Sequence, residues 1–313
     1  MPDYDLVVIG AGPAGLTAAQ YGARAALKVL VIEQLSVGGQ VLLIDVLENY
    51  PGNTGQKSGF DFIMDLHNQA ENFGASFLFN KVSSIEKKAD CFRIVMVDGS
   101  TLTAAALIIA TGAKPRLLGI PGEKEFTGKG VSYCATCDGN FFKEKKIFVI
   151  GGGDAACDEA RYLSRLSSKV VLVHRKENLR AQKVLTKRTL ENPNIQVRFN
   201  TVIKEIKGAL AAQKVGMVVL ENLAGSQVYE EQADAVFISV GTVPLSELAA
   251  IDGVEKCVEL DNDGYIITNS KMETNIPGVF AAGDVRAGAF RQVVTAAGDG
   301  AIAAFNAAKY IGE

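Results

Sequence analysis

Two cysteines separated by two residues, Cys134-Ala-Thr-Cys137, are the side chains of this sequence whose type and spacing could most directly do chemistry. Such a pair can close a small ring as a disulfide and be reopened by thiolate exchange. Near βαβ units the spacing reads as a redox pair. A zinc site would need two further ligands, and the chain offers only His67 and His174, neither in a spaced pair, and no second C-x-x-C. No metal is therefore expected. Asp138 follows directly; exchange needs a proton for the leaving sulfur, so this carboxyl could serve as acid/base, or, with Gly139 behind it, cap the next turn. Cys91, Cys157 and Cys257 read as small buried hydrophobes.

Cys137 lies 14 residues before Gly151, which opens the second of two similar βαβ units. In the first, the apolar run Asp5–Ile9 breaks into Gly10-Ala-Gly12-Pro13-Ala14-Gly15, followed by an alanine-rich helical stretch to about Ala26 and a strand, Lys28–Glu33. In the second, Lys146–Ile150 breaks into Gly151-Gly-Gly153-Asp154-Ala155-Ala156, then a helical stretch from Cys157 to Ser168 and a strand, Lys169–Arg175. A lone G-x-G-x-x-G is a weak signal, but a buried strand before it and a helix after it aim backbone N–H groups at a pyrophosphate. Gly10 makes the tight turn, Gly12 admits the phosphates and Gly15 lets helix and strand touch; Ala156 at the third position is an accepted variant.

The two units differ where the nucleotide ribose is read. Glu33 lies 23 residues after Gly10 and His174 lies 23 after Gly151. A carboxylate there suits a free ribose hydroxyl, as in FAD or NAD. His174-Arg175-Lys176, with Arg180 a turn further on, would instead attract a 2′-phosphate, so NADPH is the natural ligand of the second unit unless these cations are only a solvated loop.

The remaining pattern repeats in the same way. Phe60–Phe73 has helical spacing, and Ala75–Asp98 with Thr101–Ile109 read as strands forming the hairpin flank of the first domain. Ile195–Phe199, Val202–Ile206, Lys214–Glu221 and Ala233–Val240 repeat that arrangement. Pro-containing crossovers at Lys114-Pro115 and Val243-Pro244 divide the chain into residues 1–113 with 243–313, and an inserted domain of residues 114–242. The expected fold is α/β, two Rossmann-like, three-layer ββα nucleotide-binding domains, one inserted in the other. In the last segment Gly278–Asp284 is a strand ending in Gly283 and a carboxylate that could reach a ligand hydroxyl or cap a helix, and Gln292–Tyr310 is helix-prone.

Composition bounds the rest. At 313 residues, two cores are the better expectation. With 48% apolar residues, 32 basic against 35 acidic side chains and a net charge of −3, the chain reads as globular with no electrostatic call for nucleic acid. No apolar run approaches the roughly 20 residues of a membrane span, and the start lacks a basic signal-peptide region, so a cytoplasmic address is expected.

Taken together these motifs resemble the low-molecular-weight thioredoxin reductases along essentially the whole chain. Gly38-Gly39-Gln40, Glu48-Asn49-Tyr50-Pro51-Gly52, Ala110-Thr111-Gly112 and Gly283-Asp284 with Arg291-Gln292 add to the glycine loops and the C-x-x-C. The glutathione-reductase class differs, with its redox cysteines after the first glycine motif; here Gly38–Gly52 has none. The resemblance implies FAD along Gly10–Gly15, Glu33, Gly39, Gln40, Asn49, Ala110, Thr111, Gly112, Gly283, Asp284 and Arg291-Gln292-Val293. It implies NADPH on Gly151, Gly153, Asp154, Ala155, His174, Arg175, Lys176 and Arg180, with Cys137 facing the flavin, Cys134 attacking thioredoxin's disulfide and Asp138 as acid/base. Phe141 and Phe142 look like the family's apolar contact for thioredoxin, or ordinary packing, and a homodimer is the family's usual assembly. Two positions depart from the pattern: Val41-Leu-Leu-Ile-Asp45 replaces small hydroxyl residues, and Lys176 replaces a second arginine, a point charge without the bidentate fork. Rival readings are a peroxiredoxin-reducing flavoprotein subunit, which normally carries an N-terminal extension, a ferredoxin-fed reductase, which should lack the cations at His174–Arg180, and a non-catalytic flavin redox sensor.

Overall fold

The structure is a computed structural model that describes residues 1–44, 47, 49–55, 57–209 and 212–312, with backbone only at Leu43 and Ala212. In chain order β1 (Tyr4–Ile9) runs through a glycine turn into α1 (Pro13–Arg24) and β2 (Val29–Glu33), then α2 (Gly59–Asn72), β3 (Ser76–Phe79), β4 (Val82–Lys87), β5 (Phe92–Met96), β6 (Thr101–Ile109) and β7 (Ala113–Pro115). There follow β8 (Val131–Ser132), α3 (Ala135–Asp138), β9 (Ile147–Gly151), α4 (Asp154–Leu163), β10 (Val170–Val173), α5 (Lys183–Leu190), β11 (Ile195–Arg198), β12 (Thr201–Ala209), β13 (Ala212–Asn222), β14 (Gln227–Gln232) and β15 (Ala235–Ser239). The return strand β16 (Thr242–Pro244) pairs with β7, and β17 (Ile251–Asp252), β18 (Val279–Ala281) and α6 (Val293–Ile311) come last. Two compact units result, residues 1–114 with 243–313, and residues 115–242.

In the first unit β1 is a central parallel strand between β2 and β6, and its side chains alternate between two cores. Leu6 and Val8 join the cluster beneath α1 and α6, whereas Val7 and Ile9 join the cluster with β4, β5 and β18. That double burial is why the strand is apolar from Leu6 to Ile9. β6 divides its far edge: Thr101–Ala104 pair antiparallel with β5, and Leu107–Ile109 pair parallel with β18. The expected hairpin flank is thus limited to β4 and β5; β3 instead extends the parallel sheet beside β2, with Leu30 opposite Ser76.

The second unit repeats the plan with a parallel sheet, β11-β10-β9-β15-β8, and a separate antiparallel sheet, β12-β13-β14. The strand β14 has no counterpart in the sequence reading, because Gln-Val-Tyr-Glu-Glu-Gln is largely polar and exposed and earns its place by backbone pairing with β13. Of the three isolated cysteines only Cys157 is buried; Cys91 is half-buried and Cys257 is exposed. No helix among the described residues is long and apolar enough to cross a membrane.

The helix pair α1/α6 depends on small residues. The buried face of α6 is Ala296, Ala297, Gly300, Ala303, Ala304, Ala307 and Ala308, and a Cβ on Gly300 would lie 2.1 Å from the Ala14 carbonyl oxygen. Gly298, two residues earlier, faces open space. Gly300→Val should therefore cost about 3 kcal/mol or more through backbone overlap, whereas Gly298→Ala should be neutral or stabilising by roughly 0.5 kcal/mol. Urea denaturation of the two variants distinguishes them; equal stabilities would contradict the packing described.

Candidate active site

Cys134 and Cys137 are joined as a disulfide across the single turn α3, with their Cα atoms 5.3 Å apart. Both are half-buried, while Ala135 between them is fully buried. The turn is pinned from β8. The buried Ser132 hydroxyl donates to Asp138 Oδ2 at 2.5 Å, and its oxygen accepts the Cys134 N–H at 3.1 Å. One hydroxyl therefore links the carboxyl at the end of the turn to the amide of its first cysteine. Asp138 ends this helix and stands at the N-cap position of the following single turn, Gly139–Phe142, but its side chain makes no capping hydrogen bond there. The neighbouring Tyr133 hydroxyl donates to Glu123, a buried carboxylate that also accepts the Leu118 and Gly119 amides at 3.0 and 2.7 Å. Burial, with Glu123 beside it, pushes the Tyr133 phenol up to about 12.

The first glycine turn is held by contacts that side chains would block. A Cβ on Gly15 would sit 1.8 Å from the Gly10 oxygen, and one on Gly10, whose φ is 106°, would sit 2.4 Å from the Ala110 oxygen. Gly12 differs: a Cβ there would meet nothing within 4 Å among the described residues. Its bareness serves no internal packing and leaves a backbone surface that a phosphate can approach. Gly39 lies beside Gly12, and Gly283 lies over Ala14. Glu33 accepts the Ala11 amide at 2.9 Å, Asn49 donates to Gln292 at 3.1 Å, Thr111 donates to the Leu245 carbonyl at 2.5 Å, and Gln40 donates to the Ala113 carbonyl. Gly10–Gly15, Gly39, Ala110 and Gly283 thus surround one loop, with Asn49 and Gln292 paired. Gly112 is left-handed with φ 75°, and Val293 is the first residue of α6.

Asp284 lies in a single turn, Gly283–Val285, and caps no helix. Burial pushes its carboxyl up to about 6; Arg291, stacked over the Tyr265 ring at 4.4 Å, opposes the shift and Asp299 adds to it. Asp299 accepts from Arg286 at 2.5 Å and from the Gly283 amide at 3.1 Å, which fixes the turn.

In the second unit Gly151 approaches the Ser239 oxygen and the Ala156 methyl, and Gly153 faces open space as Gly12 does. Asp154 begins α4 and accepts from Gln182, with Ala155 exposed beside it. His174 is not a surface cation. It is 4% exposed, its ring fills the place a Gly152 side chain would take, and burial holds its pKa below the usual histidine range. The exposed positive charge rests with Arg175, Lys176 and Arg180, and the Arg180 amide ties to the Gly152 carbonyl at 2.7 Å. Phe141 is 50% exposed, whereas Phe142 packs edge-on against Phe237 at 5.9 Å. Glu48 and Asp45 lie outside the described residues.

Sequence reasoning missed Ser132 and Glu159. Glu159 is half-buried on the face of α4 that carries the buried Ala156, Ala160 and Leu163, in contact with the Ser239 hydroxyl and facing the Ala135 amide. An acidic residue on an apolar helix stripe was the available signal.

A parallel sheet that ends in an open glycine turn, present in both units, together with a disulfide on a single turn, defines a nucleotide-binding disulfide oxidoreductase. The chain belongs to the pyridine nucleotide-disulphide oxidoreductase family, whose profile matches residues 4–300. Within it the chain is similar to a thioredoxin reductase of Treponema pallidum, 50% identical over 309 residues that cover 99% of this chain and 97% of that protein. Among solved structures it resembles the thioredoxin reductase of Streptococcus pyogenes, at 43% identity and a TM-score of 0.87 over 98% of this chain and 97% of that one. It also resembles that of Giardia duodenalis, at 37% identity and a TM-score of 0.88 over 99% of both chains.

The Asp284 shift has a sign that can be checked. A carboxyl whose folded pKa is raised adds stability below its unfolded pKa, near 4, and loses it as pH rises through about 6. Asp284→Asn should then stabilise the ligand-free protein at pH 8 by up to about 3 kcal/mol and leave it unchanged near pH 3.5. Melting temperatures at the two pH values test this; an equal difference at both would contradict it.

Proposed function

We propose that this protein is a thioredoxin-disulfide reductase in which electrons pass from NADPH through FAD to the Cys134–Cys137 disulfide and on to thioredoxin. The observation that carries the reading is the Cys134–Cys137 disulfide with Ser132 joining Asp138 to the Cys134 amide, in the same unit as the open Gly151–Gly153 turn. The relatives' activity supports it.

The unit of residues 1–114 and 243–313 is the proposed FAD domain. The bare face of Gly12, with Gly39 beside it, and the Asp284 carboxyl fit a dinucleotide there, with Glu33 for the ribose and Asn49, Gln292 and Arg291 flanking. Residues 115–242 form the proposed NADPH domain, with Arg175, Lys176 and Arg180 for the 2′-phosphate and His174 supporting the loop from behind. When bound, the two cofactors supply the electron pair that opens the disulfide.

The chain's own residues then carry out exchange. Cys134 attacks the thioredoxin disulfide, forming a mixed disulfide, and the departing thioredoxin sulfur takes up a proton. Cys137, as thiolate, next attacks the Cys134 sulfur, which restores the intramolecular bond and releases reduced thioredoxin. Asp138, hydrogen-bonded to Ser132, is placed to hold and return a proton during these steps. Phe141 is the exposed apolar side chain beside the pair and the proposed partner contact, more than Phe142. The proposed assembly is a homodimer, supported by exposed Ile302, Phe305 and Tyr310 on α6, and the proposed location is the reducing cytoplasm.

Cys134→Ser should abolish NADPH-dependent thioredoxin reduction while FAD stays bound; retained turnover would overturn the reading. Arg175→Ala combined with Arg180→Ala should raise the KM for NADPH at least about tenfold, with little change for NADH, because each lost phosphate contact costs roughly 1 kcal/mol or more. Steady-state kinetics with both nucleotides measure the difference; an equal rise for both would contradict the phosphate assignment.

A further inference from the structure

Glu159 is a carboxyl that packing alone does not require. It occupies the apolar face of α4, touches the Ser239 hydroxyl at the end of β15, and faces the amide of Ala135, the residue between Cys134 and Thr136. Glutamine could make the same two contacts without burying a charge. Its two partners are neutral, the Ser239 hydroxyl and the Ala135 amide; α5, which packs against α4, carries Lys183, Lys187 and Arg188 at exposed positions, and the dithiol turn ends in Asp138. On α4 itself Asp158 is exposed and paired with Arg161 at 3.5 Å. Burial pushes Glu159 up to about 7, with Ser239 and Ala135 opposing, so small changes in nearby charge alter its protonation at neutral pH.

Resting on the reading of Cys134 and Cys137 as a working dithiol, we propose that Glu159 is a positioning and charge-tuning residue that holds the second proton of disulfide reduction. Two electrons break the S–S bond and two protons are taken up. One protonates a sulfur; the other converts the Glu159 carboxylate to the neutral acid and leaves the second sulfur as thiolate. Carboxylate and thiolate on either side of Ala135 repel, so each raises the other's pKa, and neutralising Glu159 keeps the sulfur in the form that attacks. When the disulfide closes again, both protons are given up and the two thioredoxin sulfurs, released in turn, take up two, leaving thioredoxin as its dithiol.

The test uses the FAD-loaded protein with its dithiol reduced chemically, so it needs neither nicotinamide nor thioredoxin and stands apart from failure of the activity itself. Iodoacetamide alkylation of the pair is followed from pH 5 to 9. The wild-type profile should show two inflections. Glu159→Gln should show a single inflection at lower pH: reactivity near pH 6, where the wild-type carboxyl is already neutral, should be little changed, and the thiolate-to-thiol ratio near pH 8 should be roughly three- to tenfold higher, corresponding to about half to one pKa unit. A Glu159→Gln profile that overlays the wild type or moves to higher pH would overturn the proposal. Should that variant not fold, proton uptake on reduction near pH 7, with thiolate absorbance recorded alongside, decides the matter in Asp138→Asn. More protons taken up than thiols formed supports Glu159 as the holder; equality overturns it.

Discussion

The contact between Gly10 and Gly15 is the constraint on which the first unit is built. Backbone meets backbone where even a methyl would overlap, so β1 must stop, the chain must turn, and α1 must start against the strand end. The same close approach occurs in the second unit with the partners exchanged: Gly151 is the bare residue and Ala156 supplies the methyl. In both cases the middle glycine is left facing space that the chain does not use. From these turns follow the placement of Gly283 over Ala14, of α6 against α1, and of α4 with Glu159 beside the dithiol turn.

Three carboxyls, Glu123 buried and Asp284 and Glu159 half-buried, show how surroundings divide one chemistry into different roles. Glu123 is nearly inaccessible but accepts two amides and a phenol, an arrangement that satisfies a carboxylate and anchors the segment before Cys134. Asp284 lacks such donors and has Asp299 nearby, so it is raised, which costs stability in a ligand-free site and leaves a carboxyl free for a ligand hydroxyl. Glu159 has two neutral contacts, yet burial still pushes it up to about 7.

The strand, glycine turn and helix of each unit were legible because they rest on residue type: a doubly buried strand is apolar throughout, and only small residues permit the close approach. The C-x-x-C was legible for the same reason, since spacing alone sets its ring. What escaped was set by tertiary neighbours. β14 is held by pairing with β13 and carries little pattern of its own; β3 reads as hairpin but finds its partner in β2. Ser132 matters only because β8 brings it under the turn, and His174, a cation in the sequence, is buried against the missing side chain of Gly152.

The proposed function requires the disulfide to exchange electrons with a bound flavin. Anaerobic titration of the FAD-loaded protein with a two-electron reductant tests it most directly. Uptake should run one equivalent beyond that needed by the flavin, and this equivalent should be lost when Cys137 is replaced by serine. Uptake by the unaltered protein that ends with the flavin alone would contradict it.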